Sequence, residues 1–317
     1  MGLFWPEKQW LDIWVLVLAV ALDLALPEPP LAAHPVVWMG KLAGLLDRLS
    51  PRSGRVLPFL AGLGIALAVP ATFGGAAFAV AWWLQKLGPL PYLVVGAVLL
   101  KTTFTVRGLA RAARQAGRAL EAGDMDGARQ SLRSLVRRDA GNLTVPLMAS
   151  AAVESVAENT TDSYIGPWLA FALLGLPGAF MYRAVNTLDS MLGYHGPYEY
   201  LGKASARLDD VVNLVPARLS ALFIVVAGAP MRLNVRHAWQ RMWREHGTTE
   251  SPNAGWTMSA MAGLLGVALE KPGRYHLGEG LRDPAAPDVY SAVWVCYAVA
   301  LLGIAAAAGI VLGRSVL

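Results

Sequence analysis

Apolar positions in this chain come in runs rather than in alternation. The runs cover about residues 11–26, 57–84, 92–106, 165–181, 212–231 and 289–312, with polar, basic or proline-rich stretches between them. Runs of this kind approach the ~20 residues that an α-helix needs to cross a bilayer core. No segment alternates apolar and polar residues as a half-buried strand would, and there is no internal repeat or low-complexity tract. The pattern predicts an all-α, polytopic helical membrane protein with about four to six membrane-embedded helices, since helices satisfy their own backbone groups in lipid.

Turn residues refine each run. The first run is short enough to resemble the apolar core of a signal peptide. Glu7 precedes it, however, Asp12 and Asp23 interrupt it, and Pro27-Glu28-Pro29-Pro30 follows in place of a small-residue cleavage site, so it reads as a retained membrane helix. Pro70 and Gly74-Gly75 are expected kink points within 57–84, and Gln85–Pro91 reads as a turn. The runs at 165–181 and 212–231 are short and broken by Gly and Pro. One of them is expected to be a re-entrant or protein-buried helix, and their orientation stays open.

Composition agrees with a single integral membrane domain over 1–317. The chain is 55% hydrophobic and 15% charged, against roughly 25% charged in soluble domains, and its mean hydropathy is +0.44. A net charge of +5 could suggest nucleic acid. The bases sit beside apolar runs, which fits the positive-inside rule rather than phosphate-backbone binding and implies a lipid bilayer as partner. Between Lys101 and Asp139 stand nine bases, namely Lys101, Arg107, Arg111, Arg114, Arg118, Arg129, Arg133, Arg137 and Arg138, against Glu121, Asp124, Asp126 and Asp139. Leucines and alanines at helical spacing make 101–140 two amphipathic helices broken near Gly123-Asp124. They read as a solvated cytoplasmic hairpin, with a phosphate-recruiting surface as the sharper alternative. Lys/Arg weighting puts 27–55, 101–140 and 232–244, with Arg232, Arg236, Arg241 and Arg244, on the cytoplasmic side of the cell membrane. Cys296 is the only cysteine, so no intrachain disulfide can form, and it reads as a small packed hydrophobe.

Polar clusters among apolar runs point at function, because they cost several kcal/mol unless paired or lining a cavity. Four of them lie in 150–278, the expected active-site region. In the first, Glu154 and Glu158 stand one helical turn apart and Asp162 extends the row. Such a stripe repels itself unless a cation or an amine neutralises it; the alternative is a solvent-facing acidic face. In the second, Arg183, Asn186 and Asp189 recur at three-residue spacing and offer a cation for phosphate or carboxylate, an amide and a metal carboxylate, or else a buried Arg–Asp pair. The third holds Arg207, Asp209, Asp210 and Asn213, followed by Arg218. Adjacent aspartates suit a hard cation such as Mg²⁺ bridged to phosphate, although Asp209 could instead cap or pair locally. The fourth, Ser251-Pro252-Asn253-Ala254-Gly255-Trp256, has the composition of a helix start capped by Ser or Asn, where N–H groups can hold an anion. Several familiar motifs are absent. Gly196 to Gly202-Lys203-Ala204 lacks P-loop spacing, H-E-x-x-H, C-x-x-C and G-x-S-x-G are absent, and His34, His195, His237, His246 and His276 show no metal-ligand spacing. Zinc, hydrolase and P-loop chemistry are excluded on that ground.

These clusters, in this order, resemble the CobD/CbiB family of adenosylcobinamide-phosphate (cobinamide-phosphate) synthases of cobalamin biosynthesis. The resemblance runs nearly end to end. It takes in Asp23-Leu24 with Glu28-Pro29-Pro30 and His34-Pro35, then V-E-S-V-A-E-N-T (Val153–Thr160) and Y-R-A-V-N-T-L-D-S-M (Tyr182–Met191). It continues through A-R-L-D-D (Ala206–Asp210), N-L-V-P-A-R (Asn213–Arg218) and S-P-N-A-G-W (Ser251–Trp256). The family's G-D-P-P is Pro27-Glu28-Pro29-Pro30 here, which keeps the charge. Its R-D-T is Arg138-Asp139-Ala140, which lacks that hydroxyl.

The resemblance implies amide formation between a carboxylate of (adenosyl)cobyric acid and aminopropanol or its O-phosphate, by an ATP-dependent ligation with Mg²⁺. It implies metal or amine binding, and one general base, among Glu154, Glu158, Asp162, Asp189, Asp209 and Asp210. Arg183 and Arg207 would hold phosphate; Asn159, Asn186, Asn213 and Asn253 would orient substrate; and Asp23, His34, Arg218 and Ser251 join them as substrate-binding residues. Other membrane-associated late cobalamin-assembly enzymes, or a second copy of the chain, are the protein partners it suggests. The rival readings are a transporter or cation/proton-coupled carrier using the clustered carboxylates, and a non-catalytic membrane sensor or scaffold. The first would show internal symmetry between halves, and the second has no use for so many candidate site residues.

Overall fold

The computed structural model describes residues 10–133, 135, 141, 143–194, 196 and 198–316. In chain order its helices are α1 (Leu11–Ala25), α2 (Pro35–Leu49), α3 (Val56–Leu87), α4 (Pro89–Lys101), α5 (Arg107–Glu121), α6 (Met125–Leu132), α7 (Val145–Thr160), α8 (Gly166–Leu192), α9 (Lys203–Val212), α10 (Leu214–Gly228), α11 (Val235–Glu245), α12 (Ala254–Leu265) and α13 (Ala286–Val316). A π-helical turn, Thr161–Ile165, joins α7 to α8. The chain forms two compact units: the first takes it through Thr105, Gly166–Val212 and from Ile304 onward, the second Val106–Ile165 and Asn213–Gly303.

In the first unit α3 packs on α8 and α9, α1 packs on α4, and α2 lies against α3 and α8. Its core holds Leu16, Met39, Leu100, Trp168, Phe171, Leu176 and Leu188, all fully buried. α3 is an unbroken helix through Pro70. A Cβ on its Gly62 would fall 1.8 Å from the Leu201 carbonyl oxygen, so a glycine is needed for the backbones to approach. α8 breaks at Gly175, whose φ of 66° and ψ of −157° are not helical. The aspartate that interrupts the first apolar run is a structural tie. Buried Asp12 accepts from Tyr92 Oη at 2.6 Å and from Arg314, whose other guanidinium nitrogen donates to the Ala172 carbonyl at 2.8 Å.

In the second unit α7 is covered by α5, α6, α12 and a β-strand, and α10, α11 and α12 pack together. Helices α5 and α6 are the two amphipathic helices expected over the basic stretch. Gly123, at φ 69°, turns the chain, and Asp124 caps α6 by accepting from Gly127 N at 2.9 Å. Ala110, Ala113, Ala116 and Leu120 are buried while Arg111 and Arg118 face out. The Arg138-Asp139-Ala140 motif and His195 lie outside the described residues. Cys296 is buried as expected, against the Tyr164 hydroxyl at 3.3 Å.

One detail departs from the sequence reading, which found no strand. β1 (Leu269–Lys271) and β2 (Tyr275–Leu277) form an antiparallel pair. Lys271-Pro272-Gly273-Arg274 turns between them, with Arg274 N donating to Lys271 O at 2.9 Å and Gly273 at φ 74°. Pro followed by a positive-φ Gly is the composition of a type II turn. Strands of three residues are too short to show an alternating pattern.

Among the described residues three helical stretches are long and apolar enough to cross a membrane: Val56–Leu87, Val145–Leu192 and Ala286–Arg314; α9 with α10 adds a fourth if the bent pair is one span. That meets only the lower end of the expected number. The described α1, at 15 residues, is about 22 Å long, short of a ~30 Å bilayer core. In Val145–Leu192, 72% of the most apolar window is buried within the protein, against 33% and 39% for the other two stretches. This stretch, which contains 165–181, is therefore the protein-buried helix anticipated above.

Candidate functional site

Glu154, Glu158, Asn159, Asp162, Asn213, Arg218, Ser251 and Asn253 fall in the second unit, and Asp23, His34, Arg183, Asn186, Asp189, Arg207, Asp209 and Asp210 in the first. In the second unit, Pro146 near the start of α7 and the long run of small residues after it place Glu154 in the packed middle of a helix. The residue is 5% exposed, and its carboxylate accepts from Ser150 Oγ at 2.5 Å and from Tyr275 Oη, on β2, at 2.7 Å. Ser150 Oγ also accepts from Glu270 N at 2.8 Å, tying the β-pair to α7. Glu158, one turn on, is exposed. Asn159 donates to Ser155 O at 2.9 Å. Asp162 sits in the π-helical turn, so the acidic row does not continue with plain α-helical spacing. π-turns inside α-helices are frequent at functional sites.

Two motifs far apart in sequence meet in the same unit. The Arg218 guanidinium on α10 donates to Asn253 Oδ1 at 3.1 Å and to Leu214 O at 2.7 Å, and lies 4.9 Å over the Trp256 ring. His246 stacks on that ring at 4.0 Å and Trp243 meets it edge-on at 5.1 Å. Ser251, two residues before the N-cap Asn253 of α12, holds the turn into the helix: its Oγ accepts from Asn253 N at 3.2 Å and Ala254 N at 3.3 Å. This leaves the buried Asn253 amide to hold Arg218. Asn213, also buried, is the single residue between α9 and α10.

In the first unit, Arg183 donates to Asn186 Oδ1 at 3.3 Å, so two members of that three-residue repeat do share a face. The Asp189 carboxylate lies over Gly193, where a Cβ would fall 2.2 Å from Oδ1. Exposed Arg207 pairs with Asp210 at 3.3 Å, one helical turn away. Asp23 is buried and accepts from Thr105 Oγ1 at 3.2 Å. His34 starts α2, its Nδ1 accepting from Val36 N at 3.3 Å. Its Nε2 lies 3.5 Å from Glu28 Oε2, which Lys101 Nζ approaches to 3.2 Å. Burial pushes the Glu28 carboxyl up, but hydrogen bonds from His34, Lys101 and Thr105 outweigh it and hold the group below its ordinary value of 4.5.

Among the described residues no three His, Cys, Asp or Glu side chains group to hold a metal ion. A Mg²⁺ carried by phosphates needs only one or two of them. Sequence reasoning missed Ser150 and Tyr275 around Glu154, the His246–Trp256 stack, and Lys101, which it read only as one base among nine. Tyr275 and His276 were visible as polar residues in a Gly-rich stretch, but nothing local in the sequence aims them at α7.

Residues 16–296 match the family described as CobD/Cbib protein. A "Cobalamin biosynthesis protein CobD" of Dehalococcoides mccartyi is 46% identical over 277 residues, covering 87% of this chain and 90% of that one. A "Probable cobalamin biosynthesis protein CobD" of Methanothermobacter thermautotrophicus is 38% identical over 302 residues, 95% of this chain and 98% of the relative. One from Rhodobacter capsulatus is 41% identical over 266 residues, 82% of each. No solved structure matches the chain.

Proposed function

The chain belongs to the CobD/Cbib family, whose named relatives are cobalamin biosynthesis proteins, and from that premise we propose that it joins a carboxylate of (adenosyl)cobyric acid to aminopropanol or its O-phosphate. The observation that carries this reading is the family match along 16–296, which takes in every cluster from Asp23 to Trp256.

A carboxylate is a poor acyl donor until activated. In the proposed reaction its oxygen attacks the γ-phosphorus of ATP, ADP leaves, and the amine nitrogen then displaces phosphate from the acyl carbon. The proton leaving the amine passes to a carboxylate. We assign that base to Glu158, whose side chain is exposed and can meet a substrate, whereas Glu154 is buried. Arg183 and Arg218 suit oxyanions through planar guanidinium groups, and Asn159, Asn186, Asn213 and Asn253 supply amides that orient substrate. Mg²⁺, when bound, would offset charge on the phosphoryl oxygens; Asp209 and Asp210 have the donor chemistry for it. The proposed location is the cell membrane with the site facing the cytoplasm, supported by the apolar helices and the flanking bases.

Incubating the purified protein with cobyric acid, amine, ATP and Mg²⁺ tests the reading by the mass of the corrinoid product. The expected product is the cobyric acid–amine conjugate less one water, with ATP consumed in step. An unchanged corrinoid, with active substrates supplied, would overturn it.

A further inference from the structure

Lys101 ends α4, an apolar helix, and its side chain is 5% exposed. A lysine ammonium has three N–H donors and no acceptor. Here Nζ is enclosed, and its single ion-pair partner among the described residues is Glu28 Oε2 at 3.2 Å. That same oxygen is the one His34 Nε2 faces at 3.5 Å. Because His34 Nδ1 accepts the backbone N–H of Val36, the proton of a neutral ring belongs on Nε2, which makes His34 a donor toward Glu28. Two donors, one of them a buried cation, thus converge on one carboxylate oxygen.

The two sides of this contact differ. Lys101 and His34 approach from within the unit, whereas the Glu28 side chain is 41% exposed. It hangs from Pro27–Pro30, a segment without regular secondary structure. The prolines restrict the backbone there, while the carboxylate itself needs only rotamer changes to leave. A deep cation with a shallow, detachable acid is poor design for stability, since an isolated buried ion pair adds little. It is well suited to exchanging one acid group for another.

We propose that Lys101 and His34 form an oxyanion-binding subsite, filled by Glu28 when no ligand is bound, and that a carboxylate or phosphate oxygen of a reactant displaces Glu28 from it. The identity of that reactant rests on the function proposed above; the subsite itself does not.

The test uses the full chain in detergent, titrated with inorganic phosphate and separately with acetate at constant ionic strength, followed by its thermal-unfolding midpoint. Removing the competing carboxylate in Glu28→Gln should tighten phosphate binding by roughly fivefold or more, as expected when a self-occupied state is abolished. Lys101→Met should weaken it by about tenfold or more, the loss of one charge-assisted hydrogen bond, and the double variant should behave as Lys101→Met. Equal affinities for wild type and Lys101→Met, or no tightening in Glu28→Gln, would overturn the subsite. If Lys101→Met does not fold, Glu28→Gln alone decides. A second arm measures KM for cobyric acid, amine O-phosphate and ATP in Lys101→Arg. A rise confined to one of them identifies the source of the oxyanion, and no rise for any overturns the proposal. Wild type that makes no amide would remove the functional reading, while the phosphate titration still decides the subsite.

Discussion

Glu154 and Glu158 stand one helical turn apart, yet their surroundings give them different work. Glu154 is enclosed and receives two hydroxyl groups, whereas Glu158 faces outward. Glu158→Gln is therefore expected to lower the amide-forming rate by about 10²-fold or more, the usual span of general base catalysis, and to cost less stability than a change at buried Glu154. Glu154→Ala is expected to destabilise the protein by about 1–3 kcal/mol because it removes the shared acceptor of the buried Ser150 and half-buried Tyr275 hydroxyls. Paired thermal melts and product assays separate the two. Glu28 supplies a pH test. Its folded carboxyl lies below the ordinary 4.5, so its stabilising effect is complete above that value and disappears as pH falls through the depressed one. The midpoint difference between wild type and Glu28→Gln in ligand-free protein should thus stay constant at neutral pH and shrink only below about pH 4.5. A difference that vanished already near neutrality would contradict the assignment. At this scale the sequence displayed the acids and their spacing. It could not display their burial, since Glu154 is enclosed by Ser150 on its own helix and by Tyr275, distant in the chain.

At the scale of elements, helix starts and turns were the most readable features. Gly123-Asp124 and Ser251 both act through local backbone geometry, which depends on neighbouring residues. The β-pair escaped notice because its strands are shorter than any recognisable period. Another local device sits at the start of α13. Asp288 accepts from both guanidinium nitrogens of Arg282, at 2.8 and 2.7 Å, and from Ala285 N at 2.8 Å. The ion pair in turn holds the Arg282 guanidinium above its ordinary value. Asp288→Ala removes a helix-start acceptor and a two-point ion pair together, and should cost about 1–3 kcal/mol by chemical unfolding. A change within a few tenths would show the pair to be ornamental.

On the scale of the whole molecule, apolar runs announced a membrane protein, and the described residues include three helical stretches of sufficient length. The count fell at the low end of expectation because length, more than apolarity, decides which helix can span. α1 and α4 are apolar but short, and pack on one another in the first unit. What apolarity alone cannot distinguish is a helix meant for lipid from one meant for protein, as Val145–Leu192 demonstrates. Residence in the membrane predicts that alkaline carbonate, which strips peripheral proteins, leaves the chain in the membrane pellet; release into the supernatant would contradict it.

The buried state of Cys296 gives this molecule a practical property. Its only thiol has no exposed surface and lies against the Tyr164 hydroxyl, so a maleimide should leave the folded wild-type chain unlabelled and mark it only after denaturation. The natural protein then serves as its own blank for site-directed labelling. A cysteine placed at exposed Arg111 or Arg118, offered a reagent that cannot cross the bilayer, would report which compartment the basic hairpin inhabits. Labelling in inverted vesicles but not in intact cells is the outcome that the distribution of bases predicts.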